Sequence, residues 1–144
     1  MSGGPLATKR LQVWQGVDFK ARFVFFTQPA SGSTDPKDLV PMDFTGWSHA
    51  RMVARVAPDS ASAQIMSLIA GGGLTFIADT FSPGPPMPSV NNGIEIMITS
   101  SASLAMNGGV AYSGGYYDLL IDKSDGATMM LMAGQFDLLP TVSR

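Results

Sequence analysis

The sequence predicts an all-β fold, an antiparallel sandwich of about seven to nine short strands with at most one short helical turn. Three observations carry that expectation. Sixteen glycines and ten prolines are spread along the 144 residues, which leaves little room for long helices. Several runs alternate in hydrophobicity with period two, as strands with one buried face do. Clusters of Gly, Pro, Asn, Asp and Ser separate those runs at short intervals.

The length matches one domain on the usual scale of roughly 100 to 200 residues. A chain of this size buries roughly 68 to 70% of its unfolded surface, so its core needs no staple. Cysteine is absent, which removes thiolate chemistry, disulfides and Cys-ligated zinc while leaving the compartment open. A net charge of -2 and a pI near 5.1 argue against nucleic acid as a partner, because that partner selects a basic face. Charged residues make up only 14% of the chain, so part of the surface is expected to be covered by partner protein. The start, Met1 to Pro5, has no signal-peptide core, and no apolar run approaches the ~20 residues of a spanning helix. The expected site of synthesis is the cytoplasm, with no membrane partner.

Residues 1 to 9 read as a small, polar arm around Leu6, either ordered only against another chain or simply a disordered tail. The expected division is an extended arm over 1–13 and a sandwich over 14–144. Arg10 to Trp14 forms a short strand that ends before Gly16. In Asp18 to Thr27, Phe19, Ala21, Phe23 and Phe25 share one face, while the far half is apolar on both faces. Gln28 to Pro41 is a loop, and Asp43-Phe44-Thr45-Gly46 a turn. From Trp47 to Val56 small apolar residues oppose His49, Arg51 and Arg55. Gln64 to Ala70 and Leu74 to Ala78 are strands joined through Gly71-Gly72-Gly73, which reads as a hairpin connection. A Pro-rich loop spans Asp79 to Asn92. Gly93 to Thr99 alternates strictly, with Ile94, Ile96 and Ile98 inward. Ser100 to Asn107 fits one helical turn.

The stretch from Gly115 to Pro140 is a long hairpin. Tyr117, Leu119 and Ile121 share the inner face of its first arm; Tyr116, Asp118, Leu120 and Asp122 share the outer. Lys123 to Gly126 makes the turn. In the second arm alternation sets Met130 and Met132 opposite Met129 and Leu131, so both faces want cover. That segment is either a strand buried on two sides or a subunit contact. The strand count and turn spacing fit an immunoglobulin-like sandwich.

No group in the sequence defines a reaction. His49 is the single histidine and finds no second His or Cys for a metal site. A Ser-His-Asp set lacks a G-x-S-x-G elbow to single out its serine. Asp118 and Asp122 would have to stand ~5 to 9.5 Å apart to act as a glycosidase pair; as outer-face residues they are solvated. The turn at Asp122 to Gly126 lacks the alternate carboxylates and distal Glu of a calcium loop. Gly71 to Gly73 is followed by no Lys-Ser/Thr, so it is not a phosphate cradle. Trp14, Trp47, Tyr112, Tyr116 and Tyr117 are the residues a sugar platform would use, and equally those of a core or interface. No catalytic residue, metal or cofactor is expected.

One resemblance adds to this. The order of landmarks runs from Gly16 with Phe19 through the Asp43 to Gly46 turn, Arg51, Gly93-Ile-Glu-Ile and the Ser-rich turn with Leu104. It continues through Gly115-Tyr-Tyr-Asp118-Leu, Gly126, Gly134 and the closing Pro140 to Arg144. In this it resembles the immunoglobulin-like N-terminal domain of tailed-phage baseplate upper proteins and of related small tail, collar or fibre-adaptor proteins, from about Trp14 onward. Those baseplate proteins continue into a trimerising, receptor-device-holding region, whereas this sequence ends at Arg144. The resemblance implies a non-enzymatic virion part that docks to other virion proteins and to copies of itself in a symmetric assembly. Its alternatives are a capsid decoration or head-tail joining protein, or a carbohydrate-binding module. The side chains expected at interfaces are Leu6, Trp14, Phe26, Trp47, Tyr116, Met130 and Met132.

Overall fold

A computed structural model describes residues 5–59 and 61–141. In chain order the strands are β1 (Ala7–Thr8), β2 (Leu11–Trp14), β3 (Phe19–Val24), β4 (Phe26–Thr27), β5 (Val40–Pro41) and β6 (Trp47–Arg55). They continue with β7 (Gln64–Ala70), β8 (Gly73–Ile77), β9 (Gly93–Ile98), β10 (Tyr112–Lys123) and β11 (Thr128–Leu139). The single α-helix among the described residues, α1 (Ser100–Ala105), lies between β9 and β10 and is capped by the Thr99 side chain. It is far too short to cross a membrane.

Hydrogen bonding follows one path, β1-β11-β10-β6-β7-β8-β9-β3, with β2 also on β11 and β4-β5 as a separate pair. The path turns over between β7 and β8, where pairing is parallel and limited to Ile69↔Gly73 and Ala70↔Leu74. This corrects the hairpin expected across Gly71 to Gly73. Gly71 and Gly73 both take positive φ, and a Cβ on Gly73 would sit 2.9 Å from the Leu68 side chain and 3.1 Å from the Met97 carbonyl. The glycines therefore let the chain leave one layer and enter the other, where β8 pairs antiparallel with β9.

The result is two layers, β3-β9-β8 and β2-β11-β10-β6-β7, whose inner faces share one core. Ile94, Ile96 and Ile98 of β9 face Met52 and Ala54 of β6, Leu119 and Ile121 of β10, and Phe136 and Leu138 of β11 within that cluster. In immunoglobulin-like domains the second, fifth and fourth strands form one layer and the third, sixth and seventh the other. That order recurs here, with β7 extending the second layer as variable-type domains do. The layers hold without a bridging disulfide because Met52, Leu119 and Ile96 fill the centre at zero exposure.

The N-terminal segment departs from expectation. The short strand expected over Arg10 to Trp14 forms as β2, but it and β1, both within or at the end of the expected arm, join the sheet: β1 runs parallel beside Met132 and Ala133, and β2 beside Phe136 to Leu139. Leu11 and Val13 are core residues, since every second residue of a strand on a layer's edge still faces the opposite layer. The Tyr117 hydroxyl donates to the Lys9 carbonyl at 2.7 Å, and burial pushes that phenol's pKa up to about 12.

β11 breaks the alternation read from its sequence. Leu119 pairs with Met132 but Leu120 pairs with Met130, so Leu131 is the extra residue of a β-bulge. A bulge exchanges the faces of everything beyond it. Met132 turns into the core at 1% exposure beside the buried Leu131, whereas Met130 stays outside with Leu120. Met132, expected at an interface, is thus a core residue. Met129 packs on the core from its margin.

Candidate docking surface

Two ends and one outer face carry the unpaired apolar surface. At the first end, β2 runs out at Trp14, the chain turns at Gly16, and α1 closes the far side. The Gly16 amide donates to Ser103 Oγ at 3.0 Å, the Ser103 hydroxyl contacts the Val17 carbonyl at 3.2 Å, and Gln15 donates to the Gly109 carbonyl at 2.9 Å. The Asp18 carboxylate takes the Ser100 amide at 2.6 Å. Trp14, Val17, Leu104 and Val110, on the segments that these bonds join, are exposed.

The opposite end is built from the loops 28–39 and 78–92 and the turn after Lys123. Phe26 and Phe81 meet edge-to-face at 5.2 Å, and Phe44 bridges to Phe25 and Phe76 beneath them. The Phe25 amide donates to the Asn92 carbonyl and the Phe44 amide to the Asn91 carbonyl, both at 2.9 Å, which ties the segments flanking the first loop to the end of the second. Asn92, fully buried, accepts from the Asp79 amide and donates to the Asp79 carbonyl, each at 2.9 Å. Val40, Phe81 and Met87 remain exposed on this platform. Replacing Asn92 by alanine leaves two part-buried Asp79 backbone groups without partners, at up to ~1 to 3 kcal/mol each before water replaces them. The expected loss in urea unfolding is about 2 kcal/mol, with hydrogen exchange at 79–91 accelerated more than in β10.

The outer face of the β11-β10-β6-β7 layer is mixed. Arg51 of β6 pairs with Asp122 of β10 at 3.2 Å. The Arg51 hydrogen bond, joined by that of Thr128, lowers the Asp122 pKa. Burial raises the pKa of Asp118, against the pull of Arg51 and Arg55. Arg55 donates to the Ser62 carbonyl at 2.8 Å. A shallow pocket of about 230 Å³ opens among Arg51, Arg55, Tyr116, Asp118 and Leu120. Apolar side chains share the face: Leu120, Val53 and Met130 are half-buried and Ile69 is 60% exposed.

Of the expected interface residues, Leu6 and Trp14 are exposed at 53% and 46%. Phe26, Trp47, Tyr116 and Met130 are partly buried, and only Met132 is withdrawn. They are dispersed: Trp14 lies at the α1 end, and Trp47 at the other, beneath the Lys123 ammonium at 5.0 Å. Tyr117 is wholly buried, so the aromatics form no common sugar platform. Sequence reasoning missed Ile69, whose exposure depends on which edge β7 occupies. It also missed Asp137, a fully buried carboxylate bound by Arg10 Nε at 2.7 Å and the Gly114 amide at 2.8 Å.

The polar groups do not converge on a reaction. Asp118 and Asp122 lie four residues apart on one strand, ~14 Å at ~3.4 Å per residue, beyond the ~9.5 Å of a glycosidase pair. Leu120 stands between them. Ser48 Oγ lies 3.2 Å from His49 Nδ1, but the Asp122 oxygens are taken by Arg51 and Thr128. Among the described residues no three His, Cys, Asp or Glu gather as metal ligands. A pocket of about 460 Å³ between β7 and α1 is lined by residues such as Ile65, Leu68, Met97 and Met106, none of them ionisable.

The chain is an immunoglobulin-like β-sandwich domain. No protein-family model matches it and no curated protein does. Among solved structures it is similar to one from a study of multimeric cell-adhesive interactions of voltage-gated sodium channel beta subunits. That match has 10% identity, covers 90% of this chain and 91% of the other, and has a TM-score of 0.33. It is also similar to the extracellular domains of the voltage-gated sodium channel beta4 subunit, solved as parallel homodimers that explain its role in cell-cell adhesion. There the identity is 9%, coverage 99% of this chain and 98% of that one, and the TM-score 0.32. Likenesses this distant say nothing of partners, and the fold assignment rests on strand order.

Proposed function

We propose that this domain is a structural subunit of a tailed-phage virion, in the tail, baseplate or neck, and that it works by docking rather than by catalysis. The observation that carries the reading is apolar surface at both ends of one sandwich: Trp14, Val17, Leu104 and Val110 at one, Val40, Phe81 and Met87 at the other. A domain sticky at two opposite ends joins neighbours on either side, and rings or stacks follow when such contacts repeat around an axis. The likeness of its landmarks to baseplate upper proteins supplies the particle. Repetition then turns modest contacts into a stable assembly through effective concentration.

In this reading the chain is made in the host cytoplasm and resides in the virion, with other virion proteins and its own copies as partners. Gold-labelled antibody against the chain, applied to purified particles, tests it. Label at the tail, baseplate or neck is the expected result. Label on the head or at its tail-bearing vertex would favour capsid decoration or head-tail joining. Particles without the chain would overturn the reading.

A further inference from the structure

The outer face of the β11-β10-β6-β7 layer has a charge arrangement that selects its own partner. Its cations Arg51 and Arg55 stand on β6 and its anions Asp118 and Asp122 on β10, so the two signs form adjacent stripes along the strands. The registers set two rows across the face. Met130, Leu120, Arg51 and Ile69 lie level with one another, and Ala133, Asp118, Val53 and Ser67 make the next row. The first row is apolar at both margins, Met130 and Ile69, and with a cation stripe on β6 beside an anion stripe on β10 the face as a whole is self-complementary about one axis.

We propose that this face binds a second copy of the chain, related by a two-fold axis that runs along the strands between β10 and β6. The axis follows from the stripes. Rotation about a line parallel to the strands lays the β6 cations of one copy over the partner copy's β10 anions. Rotation about a line across the strands would lay like over like, which repels. With the axis along the strands each row meets its own reverse. Ile69 of one copy covers Met130 of the other, and Asp118 enters between the opposite Arg51 and Arg55. An isologous contact of this kind uses every residue pair twice. It removes from water the exposed Ile69 and the half-buried Met130, Leu120 and Val53, which the single domain leaves open.

The inference rests on the docking role proposed above, and its test is separate from particle labelling. The chain has no cysteine, so introduced thiols have no native competitor. Like positions in the two copies, Ile69 with Ile69 or Met130 with Met130, would lie three strand spacings apart across the seam, ~14 Å, in addition to the ~10 Å between stacked faces, whereas Ile69 and the partner copy's Met130 are separated by the face spacing alone. Treating a mixture of Ile69→Cys and Met130→Cys chains with a short bismaleimide, which spans the gap between stacked faces, is expected to give a covalent heterodimer, while either variant alone gives little. Wild-type protein in sedimentation equilibrium should self-associate. Arg55→Glu and Asp118→Lys should each weaken association more than ~10-fold, and their mixture should restore it. Circular dichroism of each variant confirms the fold. A wild-type chain that stays monomeric across the concentration series overturns the inference, as does association without the Ile69–Met130 cross-link. Label on virion tails alongside a monomer in solution would sink this face and leave the virion role standing; a cross-linked dimer absent from particles would do the reverse.

Discussion

Asp137→Ala is expected to destabilise the domain by about 3 kcal/mol, because several hydrogen bonds to one buried charged acceptor are lost at about 1 kcal/mol or more each. Asp137 has no exposed side-chain surface, whereas Arg10, its ionic partner, is 56% exposed. Four donors converge on the carboxylate: Arg10, the Gly114 amide, the Ser113 hydroxyl and the Gln135 amide. Together they tie β2, β11 and the start of β10. Without the carboxylate the Gly114 N–H and the arginine both lose their acceptor. Arg10→Ala removes one donor of four from a half-solvated position and should cost only about 1 kcal/mol. That asymmetry, read from urea unfolding, separates a buried anchor from a surface salt bridge.

The same carboxylate sets the acid limb of stability. Burial works to raise its pKa, but the bonds from Gly114, Gln135 and Arg10 win and bring it from 3.8 to about 2. A carboxylate whose folded pKa lies below its unfolded one contributes stability above the unfolded value and loses it as pH falls through the folded one. The contribution, on the order of 2 kcal/mol, should therefore be intact at neutral pH and drain away from about pH 4 to pH 2. In Asp137→Asn the slope of unfolding free energy against pH across that window should shrink by about one proton. An unchanged slope would show that Asp137 is not the group responsible.

Gly134→Ala should cost at least ~2 kcal/mol although it adds one methyl group. A Cβ at this position would collide with the Lys9 carbonyl and lie 2.9 Å from its carbon. The chain passes from β1 to β2 directly over Gly134, and Lys9 donates from its amide to the Ala133 carbonyl at 3.1 Å. Backbone of this kind cannot yield as the tip of a side chain can. The N-terminal strands must move off β11, so amide exchange at residues 7–14 should accelerate more than exchange in β9. Exchange that rises equally everywhere would point to a general loss of packing instead.

Much of the core was legible in the sequence because period-two alternation is a local property. Ile94, Ile96 and Ile98 of β9, and Tyr117, Leu119 and Ile121 of β10, all face inward as their spacing requires. The turn after Lys123 forms as its Asp-Gly chemistry dictates, with the Ala127 amide bound to Asp125 at 2.9 Å. The strand expected over 18–27 keeps its inward phenylalanines but breaks at Phe25, which accepts the Met42 amide and turns the chain into β4. The strand at Leu11–Trp14 was legible, but the pairing of Ala7–Thr8 was not, because small, polar residues carry no mark of the neighbour that will pair with them. Their partner, β11, lies more than a hundred positions downstream.

Local chemistry thus determined the strands, their inner faces, the Gly126 turn and the helical turn at α1, since each depends on residues within a few positions of one another. Tertiary structure decided where β1 and β2 pair, that Gly71 to Gly73 carry the chain between layers, and that Met130 and Met132 part company. The last case shows the reason. Faces alternate along a strand only until a residue is left unpaired, and whether Leu131 is that residue depends on how β11 registers against β10. Register is a property of two strands, and only the folded chain brings the second one alongside.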